Sequence, residues 1–403
     1  MVKDPPLAGF TTLGSLKAGG SEPLQKQEEL IGVIAVLAFH QTLPEYNETP
    51  LHELPPTPGV GCMLVKDELA RFGLPAFKIL GAPWAVYRAV GSHVGADAGD
   101  NGSGVGTRPS FADVGAAARR AHLRVVTVTE GNCGRAVARM AARHMGLPTY
   151  MTESTRARIR SEGEECVEAD AGQNLVDVVE VDGSYEETVP VAFADVAASD
   201  GNAVMVLDVG IEGFDVVPTY FVQGYNTMLA ESDRQVLAAA GRRPATHVVV
   251  PAGAGSIAEA VTAHFRGKQT SDSDSTSPVR VLTVELTTAA CLLVSLRVGV
   301  PTTVPTGDTI MCGMSCGMLS TTAWPVLQTG VDAVVSVTDA EAHAAVEEFK
   351  SLGVLAGPCG TATLAALKKV CADGNTRREL GLDESSVIVL YCTEGAKEYP
   401  IPL

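Results

Sequence analysis

The sequence predicts an α/β protein with two open twisted sheets and helices on both faces of each sheet. Short valine-rich runs alternate with longer segments of helical apolar spacing along much of the chain. Apolar residues make up 46% of the 403 residues and charged residues 19%, as is typical of a compact enzyme. A chain of this length exceeds what a single core usually organises, so two domains are expected.

Four valine-rich runs are predicted to be buried strands, and three of them precede a helical segment. A continuous apolar strand followed by a helix indicates a parallel sheet covered on both faces. The three pairs are RVVTVT (124–129) with CGRAVARMAARHM, THVVVPA (246–252) with SIAEAVTAHF, and VRVLTVE (279–285) with ACLLVSLRVG. VIVLYC (387–392) supplies a further strand.

The composition also predicts how the chain is divided. Residues 1–37 are interpreted as an N-terminal lead-in, because the first 30 are rich in Gly, Pro and charge and lack apolar periodicity. Two polar stretches, 97–110 and 271–277, are predicted to be surface loops.

The net charge argues against several kinds of partner. At −17, the chain would repel phosphate backbones and anionic lipid surfaces, so nucleic-acid and membrane partners are not expected. No window approaches the roughly 20 apolar residues of a transmembrane helix. The N-terminus also lacks an apolar core of signal-peptide length, which predicts a cytoplasmic location.

The nine cysteines do not follow a disulfide or metal pattern. Their odd number and their apolar or Gly-rich surroundings indicate reduced thiols. Cys312 and Cys316 form a C-x3-C pair, but no second pair follows at zinc-finger spacing. No metal site is therefore expected.

Lys78 lies within an apolar stretch, VKDELARFGLPAFKILGAPWAVYRAV (65–90). Leaving a charged ammonium in apolar surroundings is costly. Two interpretations follow from this segment alone. The side chain either reaches water from a helix start, or it is an amine suited to forming a Schiff base.

The segment TVTEGNCGRAVARMAA (127–142) is predicted to run from a strand through a tight turn into a helix. It places Glu130, Asn132 and Cys133 at the carboxyl end of the strand, where ligands bind in open α/β sheets. A plain strand-to-helix turn would explain the glycines equally well.

PAGAGSIAEA (251–260) also follows a strand and opens a helix, so the amides of 253–256 could hold a phosphate. The same residues match G-x-G-x-x-A, and the next strand ends on Glu285, so a nicotinamide dinucleotide site is an alternative. The separation from the first glycine to Glu285 is longer than the usual ~20 residues. YCTEG (391–395) ends a strand with a thiol, a hydroxyl and a carboxylate, which fits a binding edge or a simple strand cap.

Seven collinear segments resemble the fold type II pyridoxal-phosphate enzymes, the group of threonine dehydratases, serine racemases and cysteine synthases. Within that group they are most similar to the diaminopropionate ammonia-lyases. The segments are AFHQTLPEYNETPLHELP (38–55), KDELARFGLPAFKILGA (66–82), TEGNCGR (129–135), LDVGIEGFDVVPTYFVQGY (207–225), PAGAGS (251–256), TIMCGMSCG (309–317) and CTEG (392–395). The resemblance implies a large cofactor domain from 38–92 plus 225–403, a smaller mobile domain from 93–224 and a homodimer.

The resemblance also implies a cofactor, pyridoxal 5'-phosphate, held as a Schiff base on Lys78. Asn132 would hydrogen-bond the ring hydroxyl, and Cys392 or Thr393 would face the pyridine nitrogen. The phosphate would be held by Gly253, Ala254, Gly255 and Ser256.

The implied reaction is elimination of the β-substituent from a small amino acid, which gives a 2-oxo acid and ammonia. Lys78 or Glu130 would take the Cα proton, according to the hand of the substrate, and Asp208 would steer or protonate the leaving amine. A dehydratase, a racemase, a β-substituting synthase, or a cofactor-binding protein without turnover are alternatives.

One turn departs from the family pattern. Where the family has Asp-Gly-Asn-His-Gly, this chain has Glu130-Gly131-Asn132-Cys133-Gly134. The extra methylene of Glu130 displaces its carboxylate, and a misplaced base loses rate. The use of a D-substrate and the identity of the substrate depend on this turn.

Overall fold

The structure is a computed structural model that describes residues 10–12, 34–55, 57, 59–96, 109–129, 131–154, 175–182, 185–269 and 278–402. Most of the predicted lead-in lies outside these ranges. So do residues 97–108 of the first predicted loop and all of the second, 271–277.

The strands are numbered here in chain order. They are β1 (Phe10–Thr12), β2 (Leu51–Glu53), β3 (Cys62–Asp67), β4 (Arg124–Thr129), β5 (Thr149–Ser154), β6 (Val176–Val181), β7 (Ala203–Met205), β8 (His247–Pro251), β9 (Arg280–Leu286), β10 (Ala333–Val337) and β11 (Val387–Cys392).

The helices follow the same order. They are α1 (34–41), α2 (Lys78–His93), α3 (Phe111–Arg120), α4 (Asn132–Ala138), α5 (Tyr185–Ala197), α6 (Val216–Gly224), α7 (Asn226–Ala239), α8 (Ser256–Gln269), α9 (Cys291–Val298), α10 (Ala323–Gly330), α11 (Asp339–Ser351), α12 (Pro358–Ala372) and α13 (Gly374–Glu379). A π-helical segment, Arg139–His144, continues α4, and Cys312–Met314 forms a 3-10 turn. Within the part of the chain described, no helix has both the length and the apolar character needed to cross a bilayer.

The first compact unit consists of residues 1–77 and 225–403. Within the described ranges, its sheet has seven strands in the order β1-β10-β9-β8-β11-β3-β2. The edge strands β1 and β2 are antiparallel to their neighbours, and the other pairs are parallel. Every residue of β8, β10 and β11 is buried, and for β8 and β11 this burial explains the apolar runs that predicted them.

The second compact unit consists of residues 78–224. The residues described there form a sheet of four strands in the order β6-β5-β4-β7, and all three pairs are parallel. Val126 and Val128 of β4 pack with Ala203 and Met205 of β7 in its core, together with Ala192 of α5.

The predicted α/β class with two sheets is confirmed, and all four predicted strands are present with a helix after each of the first three. The lead-in contributes an unpredicted strand, since the backbone of Phe10–Thr12 pairs with β10. The compact units divide the chain after residues 77 and 224, because α2 packs against α4 and α6. The domain limits of 38–92 plus 225–403 and 93–224 stay a prediction.

Candidate active site

Lys78 is held by a buried acid at the start of an apolar helix. It is the first residue of α2, and its ammonium donates to Asp208, with 2.6 Å between Nζ and Oδ2. The side chain of Lys78 is 26% exposed and that of Asp208 only 4%. Ile79 and Leu80, the next residues of α2, are buried. The Lys78 amine is therefore oriented by the Asp208 carboxylate rather than simply solvated.

The turn that opens α4 brings a thiol beside this pair. Gly131 precedes α4 with φ at 115°, and Asn132 is the first residue of the helix. Cys133 is buried, and burial followed by the negative charge of Asp208 raises its pKa well above the usual value, although Lys78 acts in the opposite direction. Cys133 is consequently a neutral thiol. Glu130 lies outside the described residues, and its role stays a prediction.

In the first unit, the loop between β8 and α8 is a candidate anion site. Gly255 has φ at +101°, and a Cβ built on it would lie 2.9 Å from Cβ of Ala323. The Ala254 carbonyl accepts from the Ser320 amide at 2.8 Å, which packs the loop against the segment before α10. The first amides of a helix point at bound anions, so Gly253–Ser256 is suited to a phosphate.

The end of β11 supplies two uncharged side chains. Cys392 is fully buried and Thr393 is 4% exposed. Burial, reinforced by the negative charges of Asp67 and Glu394, raises the pKa of the Cys392 thiol well above its usual value. Either residue could face a ring nitrogen without carrying charge.

Glu285 has a structural role that the sequence did not predict. Its carboxylate accepts from the amides of Leu292 at 2.7 Å and Leu293 at 2.8 Å, and it thereby caps the first turn of α9. The side chain is fully buried, and this burial raises its pKa to about 8. The nicotinamide interpretation required this acid to bind a ribose hydroxyl. A carboxylate that is already bound to two amides does not support that interpretation.

The two cysteines of the C-x3-C pair contact different parts of the structure. The Lys397 ammonium donates to Sγ of Cys312 at 3.2 Å. Sγ of Cys316 lies 3.3 Å from the position of a Cβ built on Gly253. Among the residues that the structure describes, no group of three or more His, Cys, Asp or Glu side chains could hold a metal ion.

These features match a family of known enzymes. The model of the pyridoxal-phosphate dependent enzymes matches residues 42–393, and this chain belongs to that family. A diaminopropionate ammonia-lyase of Salmonella typhimurium is 31% identical over 385 residues, which cover 89% of this chain and 88% of the relative.

Solved structures show the same fold. The selenomethionine-containing holo diaminopropionate ammonia-lyase from Escherichia coli matches with a TM-score of 0.76 at 25% identity, over 96% of this chain and 94% of that chain. Maize serine racemase matches with a TM-score of 0.64 at 19% identity, over 92% and 95%. The predicted fold type II architecture, the pyridoxal-phosphate cofactor and the lyase class are confirmed.

The residues present fit this cofactor. In the second unit, an amine is the first polar group of an apolar helix; in the first unit, a glycine loop precedes the N-terminus of α8, and Cys392 and Thr393 are uncharged. Sequence reasoning missed two features, the approach of Cys133 to Asp208 and the buried Glu259 on α8. Neither follows from a motif, because the first depends on tertiary contact and the second resembles an ordinary acid in a first helical turn.

Replacing Gly255 with alanine is expected to weaken binding of pyridoxal phosphate at least tenfold, or roughly 1.4 kcal/mol. The Cβ would meet Ala323 and would be strained at positive φ, so the loop amides must move. Titration of the full-length protein followed by absorbance measures the affinity. Gly299 is the matched control, because it has φ at +85° but open space around it. Equal affinity losses in both variants would contradict the prediction.

Proposed function

We propose that this chain is an ammonia-lyase that removes the β-amino group of 2,3-diaminopropionate or of a related small β-substituted amino acid. The observation that carries the proposal is the 2.6 Å contact between the Lys78 ammonium and the buried Asp208. A relative at 31% identity that is named for diaminopropionate supports the choice of substrate.

Bound pyridoxal phosphate supplies an electron sink for the α-carbon of an amino acid. Lys78 would attach it covalently, and Asn132 would donate to its ring hydroxyl. Cys392 or Thr393 would face the ring nitrogen as an uncharged partner, which favours prompt loss of a β-substituent. The phosphate would lie on the amides of Gly253, Ala254, Gly255 and Ser256.

The proton transfers are assigned to three side chains of this chain. Lys78 would take the Cα proton of one enantiomer through Nζ, and Glu130 that of the other. Asp208 contacts Nζ at 2.6 Å, so its carboxylate would steer the β-amine or pass to it, as it leaves, the proton that Lys78 has taken from Cα. Because Asp208 is 4% exposed, it can transfer that proton with little competition from solvent.

The decisive experiment compares the purified protein with Lys78→Ala. We expect visible absorption from the bound cofactor in the wild type and its loss in the variant. L- and D-2,3-diaminopropionate are then added while the 2-oxo acid and ammonia are measured. Release of both products by the wild type alone supports the proposal and shows which hand is used. Absorption without either product would exclude this substrate and favour a racemase, a synthase or a protein without turnover.

The proposal extends to assembly and location, as a homodimer that acts in the cytoplasm. The family resemblance supports the dimer. Cys133, Cys291, Cys359 and Cys392 are buried free thiols, as is usual in a reducing compartment. Light scattering of the holoprotein measures the assembly, and a monomeric mass would contradict the dimer.

A further inference from the structure

Glu259 is a buried acid in the helix that begins at the proposed phosphate loop. It lies in the first turn of α8 and is 7% exposed, and its amide donates to the Gly255 carbonyl at 2.7 Å. Residues three apart share a helix face, and side chains lean toward the helix N-terminus. Glu259 and Ser256 are therefore on one face, with the carboxyl directed back toward the loop.

Two hydroxyls connect the Glu259 carboxyl to the loop backbone. The Thr322 hydroxyl donates to Oε2 of Glu259 at 2.8 Å. The Thr322 and Ser320 hydroxyl oxygens are 2.9 Å apart, and the Ser320 amide donates to the Ala254 carbonyl at 2.8 Å. A change in the charge of the Glu259 carboxyl can thus affect the backbone of the loop through these three successive contacts.

No cation contacts Glu259 among the described residues. Helix α10, which packs on α8, contains no charged residue, and the charged or titratable groups of α7, α8, β8 and β9 have other partners. These pairings are Asp233 with His264 and Lys268, Glu231 with Lys66 and Arg71, Arg234 with Glu48, Arg266 and Arg280 with Asp332, Glu285 with the amides of α9, and His247 with Thr246 and the Leu380 carbonyl.

An uncompensated acid beside a phosphate has a clear electrostatic consequence. A phosphate monoester carries about −1.5 to −2 charges near neutral pH. A second negative charge nearby disfavours ionisation of the acid. We propose that Glu259 is a positioning residue that supports the phosphate loop as an uncharged carboxylic acid, and that cofactor binding takes up a proton at this side chain. This inference rests on the proposed role of the 253–256 loop.

The direction of the pH dependence follows from burial. Burial raises the pKa of Glu259 to about 7, although the Thr322 hydrogen bond acts in the opposite direction. The bound phosphate would raise this pKa further. The affinity contributed by Glu259 is then fully present below about pH 7 and is lost as the pH rises through the higher pKa of the bound form. A pKa higher by one corresponds to roughly tenfold weaker binding at the alkaline limit.

The test compares the wild type with Glu259→Gln, whose side chain stays neutral. Full-length protein is depleted of cofactor by dialysis against hydroxylamine and titrated with pyridoxal phosphate between about pH 6.5 and 9. Calorimetry in two buffers of different ionisation enthalpy counts the protons taken up. We expect the wild-type affinity to fall roughly tenfold more than that of Glu259→Gln across this range, with extra proton uptake by the wild type. Identical pH profiles and proton counts would overturn the inference.

A ligand control and a second variant complete the experiment. Pyridoxal, which lacks the phosphate, should give the same pH profile in the wild type and Glu259→Gln. Thr322→Val removes the donor that lowers the Glu259 pKa, so its affinity should begin to fall at a higher pH. An unchanged Thr322→Val profile would contradict the inference even if Glu259→Gln fails to fold. A wild type that binds no pyridoxal phosphate at any pH would instead refute the proposed function.

Discussion

Replacing Asp208 with asparagine is expected to lower kcat for release of the 2-oxo acid roughly 10²- to 10⁴-fold, the usual contribution of a positioned acid or base. Asparagine keeps the size of the side chain but removes the charge that holds the Lys78 ammonium at 2.6 Å. It also lacks the carboxylate that would accept a proton from Lys78 and pass it to the leaving amine. A coupled assay of the 2-oxo acid gives kcat, and absorbance of the bound cofactor shows whether the variant is loaded.

Glu212→Gln is the matched control for this prediction. It makes the same chemical change at an exposed acid in the segment that follows β7. We expect its kcat to equal that of the wild type. If Asp208→Asn retains the cofactor and keeps kcat within a few-fold of the control, Asp208 does not transfer the proton.

Replacing Arg71 with methionine is expected to destabilise the protein by about 3–5 kcal/mol, because it leaves buried charge without a partner. Arg71 is fully buried, and its guanidinium contacts Glu68 at 2.7 Å and Glu231 at 2.6 Å. Lys66, also fully buried, contacts Glu231 at 3.0 Å. These two cations and two carboxylates balance one another, and removing Arg71 leaves an excess negative charge in the core.

Urea unfolding of the two variants Arg71→Met and Arg234→Met measures this effect. Arg234 also pairs with a carboxylate, Glu48, but the two side chains are 64% and 39% exposed. Exposed pairs contribute about 0–1 kcal/mol, so Arg234→Met should barely change the midpoint. Similar midpoints for the two variants would show that the buried cluster adds no more stability than a surface pair.

The fold was predictable from the sequence where a strand is buried along its whole length, because such a strand consists mostly of apolar residues. β8 and β11 are buried along their whole length, so they read as valine-rich runs. β1 and β2 have three residues each and lie at sheet edges, where no continuous apolar run is required. The packing of α2 against α4 and α6 joins distant parts of the chain, so no local sequence pattern predicted it.

The site was less predictable, because its contacts join distant positions. Lys78 and Asp208 are 130 residues apart, and no spacing rule connects them. Only the family resemblance predicted that both residues take part in catalysis. Glu285 was misinterpreted for a related reason. An acid at the end of a strand can bind a ligand or cap the next helix, and only the geometry shows that it caps α9.

The position of β11 has a consequence for how the protein is made. This strand is formed by residues 387–392, yet it lies inside the sheet of the first unit, between β3 and β8. Until the ribosome has released this segment, β3 and β8 each lack a neighbour and present an unpaired edge. The first unit can therefore complete its sheet only once residues 387–392 have been synthesised, whereas every strand of the second unit precedes them in the chain. Chaperone dependence should accordingly concentrate on the unit that is assembled last.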